Sequence, residues 1–175
     1  MNRHVSPLRF GLTFLVTFAI LMGSFEASRG TAFERVFVED LILAPTCALI
    51  HAATPGDQVT RVDRTLVSPG ANLHVTRGCE GVEMFLLLIA GIVAFPAPRK
   101  RRIQGLLLGS LLAYVLSVAR LMALHYTLRY SPGGWEALHG LILPLGPVIL
   151  MALFFMRWTS HGVASKGLEP SPDAA

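Results

Sequence analysis

Hydrophobic positions in this chain come in long runs, and the charged positions gather at the ends of those runs. Four stretches, about Leu8 to Phe25, Gly81 to Ala97, Ile103 to Tyr126 and Leu138 to Trp158, approach the roughly 20 apolar residues that a helix needs to cross a hydrocarbon core. Each is predicted as a transmembrane helix. The run from Leu41 to Ala53 is shorter, contains Pro45 and follows Glu34, Arg35, Glu39 and Asp40, so it reads as an amphipathic helix lying on the membrane or capping the bundle. Between it and the second span, "QVTRVDRTLVSPGANLHVTRG" partly alternates on both sides of Ser68-Pro69-Gly70, which predicts a β-hairpin. The expectation is an all-α polytopic membrane protein, with one membrane-embedded domain over residues 1–160. Residues 161–175 are expected to form a disordered cytoplasmic tail.

Composition agrees with that class. Of the 175 residues, 53% are hydrophobic and 15% charged, too apolar a mixture for an ordinary soluble domain. The formal charge of +4 does not point to nucleic acid, because the basic residues cap apolar runs instead of forming a patch with interleaved aromatics. They report topology. Arg99, Lys100, Arg101 and Arg102 form the densest cluster and assign the turn between the second and third spans to the cytoplasm, and Arg3, Arg9, Arg157 and Lys166 agree. Residues 26–80 and the Thr127–Ala137 loop then lie outside. If the Leu41 segment crossed as well, the N-terminus would change sides, but residue 79 would stay outside. The first run also has the basic start, apolar middle and small residues of a signal peptide, with a weak cleavage site near Ala27 and Ser28. The expected location is the plasma (inner) membrane.

Three polar residues fall at one predicted depth on that outer face. Cys79 begins the second span and His139 begins the fourth. Arg120 lies roughly 26 Å from the cytoplasmic end of the third span and about 9 Å from its outer end, at 1.5 Å per residue. A lone cysteine there could be a packing residue, a histidine an interfacial group, and an arginine a snorkelling cation. The arginine is the costliest to explain that way, since an ionised group at a helix centre costs about 2.5 to 3.5 kcal/mol. Together the set fits acyl transfer through a thioester. A thiolate is favoured at a helix N-terminus and beside a cation. A histidine at a helix N-terminus is biased towards the neutral form that accepts a proton. A guanidinium offers fixed donors to an oxyanion, a contribution of about 2.7 to 4 kcal/mol.

With "CEGVE" opening one span, Arg120 in "SVARLMAL" late in the next and His139 in "WEALHG" opening the last, the chain resembles the exosortase/archaeosortase membrane transpeptidases over about residues 76–158. It is similar to the short exosortase H type. The resemblance implies that Cys79, Arg120 and His139 are catalytic. It further implies exported protein substrates that end in a short motif, a transmembrane helix and a basic cluster. The arginine motif of that family often carries an Asn where this chain has Ser117, so a supporting amide is replaced by a hydroxyl. Glu83, about one turn from Cys79, is a second supporting candidate, either pairing with Arg120 or orienting His139, or else a helix-start carboxylate favoured by the dipole.

Rival bases are weaker. His125 is about 140° around the helix from Arg120, and His74 belongs to the predicted hairpin. The reading calls for no metal and no cofactor, and its partners are the protein substrates and the bilayer. Two other classes stay open at this point: a membrane thiol oxidoreductase, and a non-enzymatic subunit stapled by a Cys47–Cys79 disulfide. The absence of a CxxC weakens the redox class.

Overall fold

The computed structural model describes residues 6–76, 78 and 80–164, with side chains to residue 160. Pro7, whose missing N–H costs nothing in a first turn, opens α1 (Pro7–Ala27). Only Phe25 of this helix is buried, so most of its apolar surface has no protein partner.

The segment expected as a short amphipathic helix begins earlier, at Ala32, and forms α2 (Ala32–Ala53), 22 residues long. Pro45 does not end it. Proline has no N–H for the Leu41 carbonyl, and the helix takes up the missing bond by winding Val36–Leu43 with wide i→i+5 turns. Arg35 and Asp40 remain exposed while Val38, Ile42, Leu43 and Ile50 are buried, so the helix is amphipathic as expected.

The predicted hairpin is a three-stranded antiparallel meander, β1 (Thr60–Val62), β2 (Thr65–Ser68) and β3 (Ala71–His74). Pro69-Gly70 turns β2 into β3, with Gly70 at φ +87°, a conformation glycine adopts without strain. Asp63-Arg64 makes the other turn with Asp63 at φ 49°. The register pairs Leu66 with Leu73 and Ser68 with Ala71, which sends Leu66 and Leu73 into the core.

The predicted second span is cut short. α3 (Val82–Ala94) has 13 residues, about 20 Å against a hydrocarbon core of about 30 Å. Pro96 and Pro98 stop it, because a residue before proline is pushed out of the helical region, and Phe95 is already extended at ψ 131°. α4 (Arg99–Tyr130) is longer than predicted at 32 residues, roughly 48 Å, and starts on the basic cluster itself. α5 (Pro132–Ser160) contains a second wide turn, Leu138–Ile142, just ahead of Pro144. Its winding continues to Ala164, so the expected tail starts as helix; residues 165–175 lie outside the described set.

Among the described residues four helices, α1, α2, α4 and α5, are long and apolar enough to cross a membrane. The number is as expected, but α2 replaces α3 among them. Two apolar clusters hold the molecule together. One joins α2 and the sheet to Val82, Leu86, Leu121 and Leu124, and the other joins Leu88 and Ile92 of α3 to Ala113 of α4 and Met151 of α5.

Candidate active site

The loop from Val75 to Gly81 leaves the sheet and enters α3. Gly78 (φ +82°) and Gly81 (φ +79°) are both left-handed there. Gly81 has a second reason to be glycine: a Cβ at this position would collide with the Ser117 hydroxyl. Loop and α4 therefore touch at Ser117. Ser117 is buried and donates its hydroxyl back to the Ala113 carbonyl of its own helix at 2.9 Å, and it makes no side-chain hydrogen bond among the described residues.

Arg120, one turn further along α4, is 7% exposed and donates from Nη1 to the Gly78 carbonyl at 3.4 Å. Its buried Nε has no hydrogen-bond partner among the described residues. A cation is thus held against the residue that precedes Cys79, with donor capacity in reserve. Cys79 itself lies outside the described residues, as does Arg77. His139 stands in the wide turn Leu138–Ile142, which packs on α4, and its ring stacks on Trp135 at 5.1 Å with planes 10° apart. Wide helical turns are rare and are often found at functional sites. Trp135 and Leu143, on either side of His139, pack against the cluster that includes Leu121 and Leu124. Glu83 sits in the first turn of α3 and makes no ion pair among the described residues, so it does not join Arg120.

One carboxylate of this site was not singled out from sequence. Glu80 is completely buried and ion-pairs with Arg64 of the β1–β2 turn. Arg64 also lies 3.2 Å from Glu34 of α2, which is 3.5 Å from Arg29. Burial pushes the Glu80 carboxyl above the usual carboxylate range, and Arg64 and Arg29 oppose that shift. The chain of alternating charges ties three separate elements to the loop that carries Cys79.

The rival histidines point elsewhere. His125 is fully buried with Nε2 3.8 Å from Asp57 Oδ2, and Asp57 accepts the Tyr130 hydroxyl at 2.7 Å. That hydrogen bond, helped by Thr54 and Arg129, holds the Asp57 carboxyl below its ordinary range. The cluster locks the end of α4 to the turn after α2. His74 is engaged at 2.9 Å with Thr65 across the sheet. Cys47 is a free thiol 3.5 Å from the Val59 carbonyl. Among the described residues no group of three or more His, Cys, Asp or Glu side chains could hold a metal ion. Comparison with protein-family models, curated proteins and solved structures finds no match for this chain.

Proposed function

We propose that this chain is an exosortase-like cysteine transpeptidase of the plasma membrane that removes C-terminal sorting signals from exported proteins. The observation that carries the reading is the buried Arg120, which donates to the Gly78 carbonyl and keeps Nε unpartnered beside the Cys79 loop. A snorkelling arginine would reach for water or lipid phosphate instead. In this reading α1, α4 and α5 cross the membrane and α3 completes its crossing with the extended residues 95–98 that follow it, which leaves the basic turn at Arg99 in the cytoplasm. α2 lies over the outer end, tied to the sheet by Asp40 and Arg61 at 3.1 Å.

The Cys79 thiolate attacks the scissile carbonyl carbon, and Arg120 donates to the oxyanion that forms. The C–N bond then breaks, and the leaving amine takes the proton that His139 had accepted from the thiol. Water or an amine attacks the thioester, His139 takes its proton, and the thiolate departs. Lysine has no planar fork of donors, so Arg120→Lys loses nearly all turnover with the charge kept.

The test is the fate of exported proteins of the same genome that end in a motif, an apolar helix and a basic cluster. In cells lacking this chain, such precursors keep the C-terminal helix. The wild-type chain removes it, whereas Cys79→Ser and His139→Ala, at equal abundance in the membrane, do not. Removal of the helix by the Cys79→Ser chain would contradict the thioester.

A further inference from the structure

A pocket lies beside the Cys79 loop, where the start of α3, the middle of α4 and the wide turns of α2 meet. Its volume is ≈ 190 Å³. At about 30 Å³ for each water-sized group, that is room for roughly six, the size of one leucine or phenylalanine side chain. A helix about 10–12 Å across fills about 400 to 600 Å³ in each turn, so the pocket takes a side chain and not a helix. Phe37 of α2 meets Phe85 of α3 with ring centroids 6.2 Å apart, and the two rings form one wall. Ala113 of α4 is buried in another, while Leu41 and Tyr114 are 51% and 39% exposed and stand at the mouth. Among the described residues no lysine or arginine lines the pocket, and the one carboxyl that does, Glu80, is engaged by Arg64.

Its direction matters as much as its lining. Gly81 and Ser117, whose close approach joins the Cys79 loop to α4, belong to its upper end. Ser110, at the other end, precedes Arg120 by ten residues on α4 and is about 15 Å nearer the cytoplasm. The pocket therefore starts below Arg120 and runs into the bilayer. A precursor held by its C-terminal helix runs the same way: with the scissile carbonyl at Arg120, the residues after the scissile bond descend along α4. We infer that the pocket is the subsite for the first large apolar side chain on the leaving side of the scissile bond, and that Ser110 sets the size it accepts. The inference rests on the transpeptidase reading above and adds a substrate requirement to it, a residue of leucine or phenylalanine size just after the cleavage site.

The test uses a precursor that the wild-type chain cleaves, with the cleavage site located by mass spectrometry of the released helix. With leucine as the first apolar residue after that site, kcat/KM is expected to exceed that of the alanine precursor by about tenfold or more. Ser110→Leu fills the inner end of the pocket and lowers that ratio by about tenfold or more. Leu111→Phe, one residue on and 59% exposed outside the pocket, keeps the wild-type ratio. The ratio is read on folded molecules only, so a folding defect does not move it. In the Cys79→Ser chain, which holds precursors without turnover, a diazirine analogue of leucine at the same position crosslinks to residues 110–117 of α4 or 37–42 of α2. A wild-type ratio near one, the result if a lipid acyl chain fills the pocket, would overturn the inference. So would a ratio that Ser110→Leu leaves unchanged, or crosslinks confined to other helices. Each of these leaves cleavage by the wild-type chain intact, whereas a wild-type chain that cleaves no precursor ends the transpeptidase reading and this subsite with it.

Discussion

Around Leu121 and Leu124, apolar side chains share their packing with Glu34, Asp57, Glu80, Arg120 and His125, whereas around Ile92 and Met151 the cluster buries no charged group among the described residues. Both ends have hydrophobic cores of the same kind. The difference lies in what the core is asked to exclude. Burying an ion costs several kcal/mol unless it is paired, and apolar packing alone would suffice for stability. At the sheet end the charges are connected: Arg64 bridges Glu34 and Glu80, and Asp57 gathers Tyr130, Arg129 and His125. Arg120 forms no ion pair among the described residues, and its Nε, like that of Arg64 and Arg129, is buried without a hydrogen-bond partner there. An unpartnered buried donor is unfavourable in the resting molecule and useful where negative charge develops during a reaction.

Substitutions at matched positions would break or sharpen this contrast. The largest effect is expected at Arg64. Arg64→Ala strands Glu80 without its partner, and loss of one member of a buried pair costs about 3 to 5 kcal/mol, measured by reversible unfolding in mixed micelles. Next is Gly81→Ala, which forces a side chain into left-handed backbone and into Ser117, for about 1 to 3 kcal/mol. Ser117→Gly in the same chain relieves the collision but not the backbone strain, so rescue is expected to be partial.

Glu80→Gln has the opposite sign. Its folded-state pKa is raised, so the native state holds the proton more tightly than the unfolded chain, and stability declines as pH rises from the normal carboxylate range through the folded value. The glutamine variant lacks that decline, and the stability of wild type approaches it only at acid pH. Asp57, held low by Tyr130, acts the other way: its contribution is present at neutral pH and is lost as pH falls through the folded value. The smallest effect belongs to the apolar end, where Arg101→Gln removes a cation–π contact with Trp158 worth about 0.5 to 1 kcal/mol. An Arg101→Gln loss as large as that of Arg64→Ala would erase the distinction between the two ends.

Much of the helical layout was legible because apolar runs and basic clusters are local signals. Three of the four predicted long apolar helices, the Pro69-Gly70 turn and the amphipathic character of the Leu41 segment came from such signals. Helix limits were harder to read. Pro45 looked like a terminator but is absorbed by wide turns, while Pro96 and Pro98 end α3 early. The approach of Arg120 to the Cys79 loop was legible as a match in depth. The Glu34–Arg64–Glu80 chain was not, since it joins residues far apart in sequence through a β-turn whose side-chain direction no periodicity encodes. Glu80 had a visible clue in its place next to Cys79. Asp57 had none, and its partners became apparent only when α4 was found to run on to Tyr130.

The central claim is that a buried cation activates a thiol on the outer face, and the pH dependence of Cys79 alkylation tests it most directly. In a Cys47→Ser chain in sealed, right-side-out membrane vesicles, a small impermeant thiol reagent is expected to label Cys79 with an apparent pKa below the roughly 8.5 of a free cysteine. Arg120→Gln moves that value upward, and Glu80→Gln moves it further down by removing the neighbouring carboxylate. Labelling only after the vesicles are opened, or a pKa at or above the free value that Arg120→Gln leaves unchanged, would contradict the account.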